Sequence, residues 1–130
     1  TTPYPDSHHV AERAYLKEAG IEALTMQGMG FENAEGFASV SPQEIFDFAM
    51  NAWKDHADEA DGLFISCMNH DGMAAAQALE DEIGKPVVTS HTATLWSVLS
   101  QAGETEPLLG YGRLLAEPRA DLRRKTVGTT

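Results

Sequence analysis

Three short apolar runs, Ile21 to Met26, Gly62 to Ser66 and Val87 to Ser90, alternate with segments whose apolar residues recur at helical spacing. Short apolar runs bounded by glycine, proline and polar residues read as buried strands. Before the first run, Asp6 or Ser7 caps a helix through Glu18, with Val10, Ala14 and Lys17 on one side, Ala11 and Tyr15 beside them, and Gly20 after its end. Ser41-Pro42-Gln43-Glu44 starts a second helix, because serine fits the N-cap, proline the first helical position and Glu44 a capping box. Ile45, Phe48, Ala49, Ala52 and Trp53 follow at i, i+3, i+4, i+7 and i+8, a stripe that faces a core. Gly72 to Ile83 carries Met73, Ala76, Leu79 and Ile83 on one side, and Thr92 to Ala102 carries Leu95, Val98, Leu99 and Ala102; Gly84 and Gly103 end them. Phe31 to Val40 has no sustained period and is expected to be a loop.

Alternating helices and strands imply an α/β fold in which parallel strands are joined by helical crossovers. The expectation is a three-layer, flavodoxin-like parallel sheet. A helix precedes the first strand, so the domain reads as lacking its opening strand. In a 2-1-3-4 order that strand would lie between the Ile21 and Gly62 runs. Residues 1–115 are expected to form the domain and 116–130 a weakly ordered polar tail.

With nine Lys and Arg against twenty Asp and Glu, the formal charge is −11. Such a surface disfavours nucleic acid and anionic membranes as partners. An anionic substrate would need local donors to hold it. One cysteine forms no internal disulfide, and no run approaches the roughly 18 apolar residues of a membrane span. These features predict a soluble, cytoplasmic protein.

Candidate chemistry collects at strand ends, where α/β sheets bind ligands. Cys67 closes the run Gly62-Leu63-Phe64-Ile65-Ser66. It is either a small buried core residue or a site thiol. Backbone N–H groups of Ser66, Met68 and Asn69 would hold a carboxylate or an enolate oxygen there. Thr89 and Ser90 end the next strand, where they either cap the following helix or meet substrate. Tyr4 offers a hydroxyl or packs in a turn between two prolines, and Asn33 either caps its loop or contacts substrate. His70 and His91 also follow strand ends but lack a regular ligand spacing, so no metal site is expected. His8 and His9 are expected to be exposed. No Gly-rich phosphate loop follows a strand, and no cofactor is expected.

The string Ala60-Asp61-Gly62-Leu63-Phe64-Ile65-Ser66-Cys67-Met68-Asn69, then Gly84-Lys85-Pro86-Val87-Val88-Thr89-Ser90 and Ala93-Thr94-Leu95-Trp96, resembles the second half of the aspartate/glutamate racemase superfamily. Thr2-Pro3-Tyr4 and Gly110-Tyr111-Gly112-Arg113-Leu114-Leu115 are similar to its maleate cis-trans isomerase and arylmalonate decarboxylase branch. The resemblance implies two pseudo-symmetric halves around one site, with Cys67 as the second-half cysteine and an N-terminal half missing here. It further implies that Tyr4 and Asn33 contact substrate. The expected function is a cofactor-independent isomerase or racemase acting on a small carboxylic acid, most like maleate cis-trans isomerase. One alternative is a decarboxylase using Cys67 as proton donor, and another is a non-catalytic fragment or binding module. Expected partners are a small carboxylate, the missing half and another copy of the chain.

Overall fold

The computed structural model describes residues 1–123. After a short 3-10 turn (Asp6–His8) come α1 (His9–Glu18), α2 (Ala34–Ser39), α3 (Pro42–Trp53), β1 (Leu63–Ile65), α4 (Gly72–Ile83), β2 (Val87–Thr89), α5 (Ser90–Ala102) and α6 (Arg113–Ala116). β1 and β2 pair in parallel, Leu63 opposite Val87 and Ile65 opposite Thr89, with α4 as the crossover. The fold is therefore α/β with a parallel sheet, as the alternation implies.

The Ile21 to Met26 run does not form the expected strand. The segment is irregular, with Ile21 and Leu24 exposed, and parallel pairing is confined to one bridge between Thr2 and Gly28. A strand needs a continuous neighbour ladder. Among the described residues the pairing contacts of this segment are made by Thr2. The Thr2 N–H donates to the Gln27 carbonyl, the Met29 N–H to the Thr2 carbonyl, and the Ser66 N–H to the Thr1 carbonyl. Thr1 and Thr2 thus lie between β1 and the Gln27–Met29 segment, the place expected for the strand preceding Tyr4.

α3 begins as its sequence dictates: the Ser41 hydroxyl accepts from the Glu44 N–H, and the Glu44 carboxylate accepts from the Ser41 N–H. Its Ile45 and Ala49 meet Ala75, Ala76 and Leu79 of α4, together with Val40, Ile65 and Val87, in one core cluster. Alanines on both helices permit close approach. Gly72 does so at the start of α4, where a Cβ would lie 2.8 Å from the Ile65 side chain.

Three further expectations need correction. Phe31 to Val40 is not wholly a loop, since α2 forms once Asn33 Oδ1 accepts from the Gly36 N–H. α5 starts two residues before Thr92, because Thr89 and Thr92 make a reciprocal capping box and leave Ser90 and His91 in the first turn. The tail expected from residue 116 is anchored through its described part. Arg119 is buried, its guanidinium donating to the carbonyls of Glu104, Leu115 and Glu106, and the Leu122 N–H donates to Ser100. The rest of that tail, 124–130, lies outside the described residues.

Candidate active site

β1 delivers Cys67 to the carboxyl end of the sheet. The residue takes φ +104°, and it is the one non-glycine with positive φ among the described residues. Non-glycine residues held in sparsely populated regions cost about 1–3 kcal/mol and persist where their surroundings over-determine them. The surroundings here are specific. The Cys67 N–H donates 2.9 Å to Ser90 Oγ at the first position of α5, and the Asn69 N–H donates 3.4 Å to Cys67 Sγ. Cys67 is 8% exposed, so its sulfur sits just beneath the surface at the strand ends.

Tyr4 reaches the same point from the other side. Its hydroxyl lies beside the side chains of Cys67 and Ser66. Burial, and then the contact with Cys67, push its pKa up to about 12. It therefore keeps its proton across the neutral range and acts as a donor. Its ring packs edge-on against Phe37 of α2, with centroids 5.1 Å apart, and tilted against His8 at 5.5 Å. Ser66 Oγ in turn donates 3.2 Å to the Glu12 carboxylate of α1.

α2 is held over this rim by the residues following Cys67. Asn69 Nδ2 donates 2.7 Å to the Ala34 carbonyl, and His70 Nδ1 lies 3.2 Å from the Phe37 carbonyl. A carbonyl only accepts, so Nδ1 carries the proton. Burial lowers the His70 pKa despite that bond, which favours the neutral ring.

The structure thus brings Tyr4, Ser66, Cys67 and Ser90 together. Thr89 is fully buried as the α5 cap. Met68 is exposed beside them, its sulfur accepting from Thr94. Asn33 is an exposed cap of α2. The expected set of backbone donors changes, because the Ser66 N–H is taken by Thr1 and the Asn69 N–H by the Cys67 sulfur. What is left to hold a carboxylate is the Tyr4 hydroxyl, the Met68 N–H and the N–H groups of Ser90 and His91, which have no acceptor within their own helix, the Thr92 N–H being taken by Thr89. Among the described residues no group of three or more His, Cys, Asp or Glu side chains is placed to hold a metal ion. Two open depressions, one along α1 at His9, Val10, Arg13, Ala14 and Lys17 and one between α3 and α4, lie away from the sulfur.

Residues 1–115 match the family model for arylmalonate decarboxylase. The chain belongs to the arylmalonate decarboxylase family. The arylmalonate decarboxylase of Bordetella bronchiseptica is 29% identical over 119 residues, which make up 89% of this chain and 48% of that protein. A crystal structure of an arylmalonate decarboxylase aligns with a TM-score of 0.77 at 29% identity, covering 88% of this chain and 50% of that one. The maleate cis-trans isomerase of Nocardia farcinica, in a variant with a covalently bound succinylcysteine intermediate, aligns with a TM-score of 0.80, covering 88% of this chain and 46% of that one. Its identity is 22%, so that likeness is one of fold. The chain spans about half the length of the relatives it matches.

Two contributors in this arylmalonate decarboxylase-family chain escaped the sequence reading. α2 was hidden because six residues cannot establish a period, although Asn33 three places before Gly36 was a capping signal. His9 was expected to be exposed but is 8% exposed, its Nε2 2.9 Å from Thr2 Oγ1. Nothing in its local sequence marks it.

Proposed function

We propose that this protein is a cofactor-independent enzyme that acts on a small carboxylic acid through Cys67. Its reaction is decarboxylation of an arylmalonate-like diacid. The carrying observation is the placement of the sole thiol at the strand end, under the Tyr4 hydroxyl and against Ser90 of α5. Family membership and the 29% identical relative support the choice of reaction.

One carboxylate of the diacid is bound by the Tyr4 hydroxyl and by the N–H groups of Met68, Ser90 and His91, neutral donors suited to an acidic chain. The bond to the other carboxyl group breaks, CO₂ leaves, and the electron pair remains as an enediolate on the retained carboxyl. Preorganised donors stabilise that developing charge. The Cys67 thiol gives its proton to the α-carbon, and solvent later reprotonates the thiolate. One sulfur suffices, and Cys67 supplies it. A second α/β half closes the other side of the substrate, a reading supported by relatives twice this length.

The second reading is cis-trans isomerisation, put first by the resemblance of the sequence. There a thiolate adds to a cis-unsaturated diacid, the new single bond rotates, and elimination releases the trans product. Its support is the fold likeness to an isomerase with a succinylated cysteine.

The test offers the full-length protein, with both α/β halves, and its Cys67→Ser variant a prochiral arylmalonate, maleate, and the enantiomers of aspartate and glutamate. CO₂ release from the arylmalonate, reduced roughly 10²–10⁴-fold by the substitution, is expected of a lost general acid. Turnover of maleate alone moves the assignment to the isomerase. Activity that survives Cys67→Ser, or turnover of none of these acids, overturns the proposal and leaves a binding module.

A further inference from the structure

Beneath Tyr4 lies a chain of polar contacts, buried at Thr2 and His9 and open to solvent at Asp6, that the reaction above does not use. Asp6 Oδ1 lies 3.5 Å from His9 Nδ1, His9 Nε2 lies 2.9 Å from Thr2 Oγ1, and the Tyr4 N–H donates 3.2 Å to that same Oγ1. An acid, an imidazole and a hydroxyl in this order resemble a nucleophilic triad. Thr2 is 2% exposed and its oxygen already accepts from Tyr4, so the hydroxyl is not displayed to a substrate.

The proton positions follow from what each atom can do. With the ring proton on Nδ1, toward the solvent-exposed Asp6 carboxylate, Nε2 keeps a lone pair. Thr2 then donates its O–H to Nε2 and accepts the Tyr4 N–H. The opposite tautomer would strand a buried hydroxyl proton, a costly arrangement. The Tyr4 backbone is fixed on its other face too. The Gly30 N–H donates to the Tyr4 carbonyl, and a Cβ on Gly28 would lie 2.1 Å from that oxygen and 3.0 Å from the His9 ring.

We infer that His9, acting through Thr2, is a positioning residue that sets the Tyr4 hydroxyl against the Cys67 thiol. The inference rests on the site proposed above, since a tyrosine with no role at the sulfur would need no such support. The imidazole orients the threonine, and the threonine holds the backbone of the donor.

Followed by mass spectrometry on the peptide that carries Cys67, the sole cysteine of these 130 residues, its rate of alkylation by iodoacetamide at fixed neutral pH reports on that sulfur alone. A hydrogen bond to a charged group is worth enough that Tyr4→Phe is expected to change this rate roughly tenfold. The same ratio is expected in a His9→Gln background, where the amide keeps a polar atom at the Nε2 position. In His9→Leu or Thr2→Val it is expected to fall to about one, because the hydroxyl is no longer held in place. Thermal melts identify the variants that fold, and Thr2→Val cuts the same link should His9→Leu fail to do so. A tenfold ratio that persists in a folded His9→Leu or Thr2→Val background overturns the inference while leaving the site intact. A ratio near one with His9 in place removes the Tyr4–Cys67 contact itself, and with it the support for the proposed function.

Discussion

Cys67 pays a backbone penalty at the position where the chain turns from β1 toward α4. At φ +104° a Cβ is unfavourable, so removing it relieves strain that any other side chain retains. Cys67→Gly is therefore expected to be more stable to urea than Cys67→Ala by about 1 kcal/mol, although both lose the sulfur. Equal stabilities would mean that the conformation carries no cost. The sequence announced this residue through its place after an apolar run, but not its strain. It also could not show that the neighbouring N–H groups of Ser66 and Asn69 are spent within the chain. Those bonds run to Thr1 and to the sulfur, one of them 65 positions away in sequence.

At the scale of elements, the parts with self-contained signals were legible. α3 has its capping box and α4 its Gly84 terminator, and both run as the spacing predicts. Elements that depend on a neighbour were not. The Ile21 run lacks a ladder partner beyond Thr2, and the apolar stripes of α1 and α5 leave Val10 77% and Val98 57% exposed. Periodicity finds an apolar face without finding what covers it. α2 depends on tethers from the turn after Cys67, and one of these titrates. Burial lowers the His70 pKa, so the unfolded chain takes up a proton near pH 6.5 before the folded one does. By linkage, the stability from the neutral ring is complete above that value and is lost as pH falls below it. Chemical denaturation midpoints should decline between pH 7.5 and 5.5, and less so in His70→Asn, which keeps a donor for Phe37 but has no charge to gain. An unchanged slope in that variant would place the acid sensitivity elsewhere.

The whole molecule is an α/β unit of the arylmalonate decarboxylase family, about half the length of the relatives it matches. Its described C-terminal residues belong to the folded unit. Arg119 is 5% exposed and satisfies three carbonyls, so Arg119→Ala is expected to cost about 2–4 kcal/mol in equilibrium unfolding through orphaned buried acceptors. A loss under 0.5 kcal/mol, typical of exposed sites, would restore the reading of a loose tail. The alternation of elements made the fold class legible, and the separated motifs made the family so. Of the candidate residues named from sequence, Tyr4, Ser66, Cys67 and Ser90 meet in the structure, whereas the packing of Tyr4 against Phe37 joins residues remote in sequence and was not legible. The central claim, that Cys67 is a reactive thiol in a carboxylate site, is tested most directly by mass-spectrometric alkylation with and without a prochiral arylmalonate. The account predicts modification of Cys67 in the native protein and its suppression by the diacid but not by a neutral diester. A sulfur that reacts only after denaturation, or one that the diacid leaves unprotected, would contradict it.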